Sequence, residues 1–112
     1  MINMVVRDKN PGDILHLTLF WEGSSQPRED AVVRLRLQDA QGKVWLEQLE
    51  QPTEGLYPAS QWGVNEIVRD QHNLFLPADL PVGSYRVHLS VQRLLDGVQI
   101  GSQITLTSLA IK

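Results

Sequence analysis

The chain has 112 residues, a net charge of −3 and no cysteine, a length that suits one domain with a core large enough to need no staples. The missing cysteines exclude a disulfide framework, a thiolate nucleophile and thiolate metal ligands. Acidic and basic residues are interspersed, without the basic stripe that nucleic acid or an anionic membrane surface requires. The first seven residues lack the flank and apolar stretch of a signal peptide, and no window approaches the ~20 apolar residues of a membrane span. The expectation is one soluble β domain over residues 1–112, whose strand-like beginning is compatible with a longer parent chain.

Alternation of apolar and polar residues dominates, and helical spacing is scarce. Residues 2–6 read as a short first strand. After the turn signal Asn10-Pro11-Gly12-Asp13, a strand places Leu15, Leu17, Leu19 and Trp21 on one face. A polar loop follows, and then a strand with Val33, Leu35 and Leu37 inward and Arg34, Arg36 and Gln38 outward. Asp39-Ala40-Gln41-Gly42 predicts a tight hairpin, with the returning strand running to about Leu49. Residues 50–65, punctuated by Pro52, Gly55, Pro58 and Gly63, form the longest irregular segment.

The next strand begins near Glu66, with Val68, His72, Leu74 and Leu76 inward. A Pro-rich turn leads to Tyr85, Val87, Leu89 and Val91 in clean alternation, and Asp96-Gly97 marks a hairpin. In the last strand the parity of Ile104 and Leu106 differs from that of Leu109 and Ile111, which predicts a β-bulge at Thr107-Ser108. About seven strands at these spacings predict an all-β, immunoglobulin-like antiparallel sandwich with Greek-key connections. Leu76-Pro-x-Asp79-Leu-Pro-x-Gly83-x-Tyr85 resembles a tyrosine corner, in which a strand-opening Tyr bonds back to upstream backbone. The core is expected from Trp21, Leu35, Leu37, Leu74, Leu89 and Val91, with Gly42 and Gly97 in the turns.

Two stretches carry a family likeness. One is Pro11-Gly12-Asp13-x-Leu15-x-Leu17-x-Leu19-x-Trp21. The other comprises Tyr57-Pro58-x-Ser60-x-Trp62, Glu66-x-Val68-x-Asp70 and the Leu76 to Tyr85 corner. Together, over residues 11–92, they resemble the small β-sandwich modules attached to bacterial multi-pass membrane glycosyltransferase-like proteins of the dolichyl-phosphate-mannose type. The resemblance implies an accessory domain outside the cytoplasm with no catalytic residues of its own, and it carries over no site.

Candidate chemistry is sparse. His16 and His88 fall on outward faces of strands expected in opposite sheets, so a shared metal site is excluded by geometry. His72 has inward parity and reads as a hydrogen-bonded structural ring. The serines lie in no Gly-x-Ser-x-Gly setting. Glu47, Glu50, Glu54, Glu66 and Asp70 read as solvated strand-edge and loop charges, not as a cleft pair. No Asp-x-Asp spacing supports calcium, and no glycine-rich loop leads into a helix. The expectation is therefore no catalytic residue, no metal and no cofactor.

Aromatic side chains are the remaining candidates. Trp45 shares a short strand with Val44 and Leu46, which compete with it for the inward face. Tyr57 and Trp62 lie in the long loop, where with Leu56 they suit a small cluster that plugs one end of the sandwich. Exposed, Trp45, Tyr57 or Trp62 would contact a glycan. The expected function is a non-catalytic accessory or interaction module. Carbohydrate binding through those rings is one alternative, and protein binding or self-association through an edge strand, with residues 2–6 as the natural edge, is another.

Overall fold

The computed structural model describes residues 9–22 and 30–112. Six strands are present among them: β1 (Ile14–Glu22), β2 (Ala31–Asp39), β3 (Val44–Glu50), β4 (Ile67–Phe75), β5 (Gly83–Arg93) and β6 (Gln99–Ile111). The seventh strand expected at residues 2–6 lies outside the described residues, so the described count is six. β1 and β4 form a two-stranded sheet, and a four-stranded sheet has the order β3-β2-β5-β6, with these strands paired antiparallel throughout.

Period-two patterning explains the layers. Leu15, Leu17 and Leu19 of β1 and Leu74 of β4 meet Val33, Leu35, Leu37, Tyr85, Val87, Leu89, Leu109 and Ile111 of the larger sheet in one buried cluster. Residues on one face of a strand stand two apart, so a single register brings each set inward together. Trp21 and Val91, expected in the core, are half-buried and pack on its margin.

The turns follow the residues that make them. Gly42 adopts φ +86° and donates its N–H to Asp39 O at 3.0 Å, while Asp39 Oδ1 accepts from Gln41 N and Lys43 N, both at 2.9 Å. Such left-handed backbone costs a residue with a Cβ more than glycine. Gly97, at φ +73°, closes the β5–β6 hairpin with Arg93 N donating to Val98 O at 2.8 Å. Tyr85 forms the corner: its hydroxyl donates to Pro81 O at 2.6 Å, with the ring buried.

The long connection after β3 contains two short 3₁₀ turns, at Pro52–Gly55 and Ala59–Gln61. The bulge in β6 also differs from expectation. Val87 stands opposite Thr107 and His88 opposite Thr105, so the extra residue is Leu106, while Thr107 and Ser108 pair regularly with Val87 and Arg86. Bulging at Leu106 turns it toward the core, against which it packs half-buried. A second irregularity lets β6 residues 101–103 face the single Ser90, with Gly101 at φ +73°.

Candidate functional site

The interior holds an ionisable cluster. β4 carries Val68, Asp70, His72 and Leu74 on its buried face. Asp70 stands opposite Leu19 and His72 opposite Leu17, so both enter the apolar space between the sheets. Asp70 is 1% and His72 2% exposed. His72 Nε2 lies 2.6 Å from Asp70 Oδ2, and His72 Nδ1 lies 2.6 Å from Glu50 Oε2. Glu50 ends β3 in the larger sheet, so the imidazole joins one layer to the other.

Asp70 is fully engaged. Its Oδ2 also accepts from Trp21 Nε1 at 2.9 Å, and its Oδ1 accepts from Thr53 N at 2.7 Å. Burial pushes the Asp70 carboxyl up, but the bonds from His72, the Thr53 N–H and Trp21 outweigh it and hold its pKa below the ordinary value. Burial likewise opposes charge on His72, and the bonds to Asp70 and Glu50 overcome it, raising that pKa. A ring facing a carboxylate at each nitrogen donates from both only when protonated, so this geometry favours the imidazolium. The sequence reading of Asp70 as a solvated charge is corrected here. The signal lay in its parity, which it shares with Val68 and His72.

This assembly ties β1, β3, β4 and the long loop together. Both His72 nitrogens are occupied, and Thr53 Oγ1 is itself bonded to Pro52 O at 2.6 Å and Tyr57 N at 2.8 Å. Gln48 Nε2 bonds Glu50 Oε1 and, at 2.8 Å, Asn73 O, adding a second link between β3 and β4.

Above Asp70 the long loop builds a satellite cluster of Ala59, Trp62 and Val68, against which Trp21 and Tyr57 pack. Trp62 is 6% exposed, donates from Nε1 to Tyr57 O at 2.9 Å, and has its ring centroid 6.5 Å from that of Trp21. Tyr57 is half-buried and donates its hydroxyl to Glu66 Oε1 at 2.6 Å, an oxygen that also accepts from Gly63 N at 2.8 Å. The negative charge of Glu66 raises the Tyr57 pKa through that bond. Leu56, expected in this cluster, is instead 86% exposed.

Trp45 stands elsewhere. Leu37 pairs with Leu46 and Gln38 with Val44, so Trp45 is the extra residue of a bulge. That geometry lets Trp45 and Leu46 both pack on the main core while Val44 is exposed. Trp45 Nε1 donates to Asp39 Oδ2 at 3.1 Å, and Lys43 Nζ stands 4.0 Å from the ring centroid. The structure therefore brings Tyr57 and Trp62 together and leaves Trp45 in a separate cluster.

His16 bonds Asn73 Oδ1 at 2.7 Å on the outer face of the small sheet, and His88 Nδ1 lies 3.1 Å from Thr105 Oγ1 on that of the large one. Among the described residues no three His, Asp or Glu side chains are grouped as a metal site, and no helix is long and apolar enough to cross a membrane. Exposed apolar side chains gather on the β5–β6 hairpin and along β6: Leu94, Leu95 (90% exposed), Val98, Ile100 and Ile104. No protein-family model matches the chain, and no curated protein matches it significantly.

Proposed function

We propose that the chain is a non-catalytic accessory interaction module of a larger bacterial membrane- or surface-associated protein, working outside the cytoplasm. Its framework on this reading is an immunoglobulin-like Greek-key sandwich. Support for that topology comes from the β3-β2-β5-β6 order opposite a β1-β4 pair, with a tyrosine corner opening β5. The likeness of residues 11–92 to accessory modules of membrane glycosyltransferase-like proteins points the same way.

One observation carries the interaction reading. β6 is a 13-residue edge strand without a single charged side chain, continuous with the exposed apolar hairpin tip. Among the described residues, only Lys9 bonds its open side, through a parallel bridge at Ile111. Edge strands are ordinarily defended by charge, proline or bulges; β6 has no charge and no proline, and its two bulges lie before Thr107. A second copy is the occupant that fits: two neutral β6 strands paired antiparallel oppose no like charges. The glycan alternative relies on Trp45, Tyr57 and Trp62. It gains little from a buried Trp62, a Tyr57 tied to Glu66 and a Trp45 in another cluster.

Sedimentation velocity over a wide concentration range tests the edge. A reversible dimer that Ile104→Lys converts to monomer, with unchanged circular dichroism, is expected. A single-chain mass at every concentration would overturn the pairing.

A further inference from the structure

The outer face of the large sheet gathers cations on an acidic chain. β2 and β5 pair Arg34 with Ser90, Arg36 with His88 and Gln38 with Arg86; all six side chains have outward parity, with Ser90 itself buried. The three successive rungs thus hold Arg34, Arg36 and Arg86, one arginine each. Glu47 of β3 is their acidic neighbour: its Oε1 lies 2.8 Å from Arg34 Nε and its Oε2 3.3 Å from Arg36 Nε. At that distance the Arg36 contact is an ion pair and not a hydrogen bond, which leaves the enclosed nitrogen without an acceptor among the described residues. Arg86 is exposed and has no ion-pair partner among them.

At the Arg86 end the face sinks into an open groove of about 420 Å³, lined by Gln38, Asp39, Ser84, Arg86, His88 and Ser108. Its acid, Asp39, stays ionised, accepting from Gln41 N, Lys43 N and Trp45 Nε1, with the Lys43 cation as its own charge partner. One glutamate shared by two arginines, with a third arginine free, leaves the three rungs with a surplus of two positive charges in a chain of net charge −3.

We propose that this face binds an extended acidic peptide segment of a partner protein, with carboxylates at every second residue. Rungs two residues apart along a strand lie about 6.8 Å from each other, and so do the side chains on one face of an extended peptide. A peptide running along β2 and β5 with acidic residues at i, i+2 and i+4 presents one carboxylate to each arginine. Gln38, Ser84 and Ser108 supply neutral hydrogen bonds beside the last. Glu47 is then an internal competitor that the peptide must displace from Arg34 and Arg36. The face is separate from the β6 edge, so failure here leaves the edge reading standing.

The probe is a fluorescein-labelled Glu-Ser-Glu-Ser-Glu-Ser peptide, read by fluorescence anisotropy against Glu-Glu-Glu-Ser-Ser-Ser and heparin. Binding of the alternating peptide that weakens as salt is raised is expected. Arg86→Gln, an exposed change that spares the core, should lower affinity roughly tenfold, the loss of one charge-assisted contact. Glu47→Gln should raise affinity, an effect that a purely structural Glu47 would not produce. No binding, equal binding of the block peptide, tighter binding of heparin, or indifference to both substitutions would each overturn the proposal.

Discussion

The hydroxyl of Tyr85 and the imidazole of His72 illustrate two strengths of buried polar contact. Tyr85→Phe removes one neutral bond to Pro81 O, and Pro81 is exposed, so the freed carbonyl can turn to water. The expected loss is about 1 kcal/mol in a urea titration; no loss would mean that the corner is decorative. His72 is bound to two carboxylates in an apolar interior, and removing it strands Asp70 without its cation. Its effect should be visible in pH dependence. The His72 pKa is raised on folding, so its contribution is full below the unfolded value near 6.5 and is lost as pH climbs through the higher folded value. The Asp70 pKa is lowered, so its contribution is present above the unfolded value near 3.8 and is lost as pH falls through the folded one. Stability should therefore be greatest in mildly acidic solution and decline toward alkaline pH. In His72→Gln the alkaline decline should vanish; if that variant keeps the same decline, the titrating group is another.

At the scale of elements, the loop at residues 50–65 behaves as a lid on one end of the layers. Trp62→Ala empties the satellite cluster and should cost about 3–5 kcal/mol, the usual loss for a large buried aromatic. A cost near that of an exposed position would show that the loop only drapes over the end. The outcome at Trp45 was not legible in advance. Val44, Trp45 and Leu46 alternate in sequence, yet a bulge lets two neighbours share the core side. The same device at Leu106 relocates the irregularity in β6 by one residue from where parity suggested it. Parity reveals that an extra residue exists between two matched sets, but the place where it is cheapest to insert depends on the partner strand.

For the whole molecule, the two apolar clusters are coupled, because Trp21 packs on both and donates to Asp70 between them. Unfolding should thus be one cooperative transition, with tryptophan fluorescence and far-ultraviolet circular dichroism giving the same midpoint in urea. Two separated midpoints would show that the loop cluster melts on its own.

What the sequence by itself determined is what depends on neighbours along the chain: the alternation that sorts each strand into two faces, the glycine turns at Gly42 and Gly97, and the four-residue reach from Tyr85 to Pro81. Inward parity of His72 also belongs there. Only the tertiary structure decided which strands meet, and with that the pairing of His72 with Glu50 across 22 residues and across two layers. It likewise decided that Asp70 is buried, Leu56 exposed and Trp62 enclosed. Period two assigns a side chain to a face, whereas a contact requires a second segment to arrive there, and register, bulges and loop paths set that arrival.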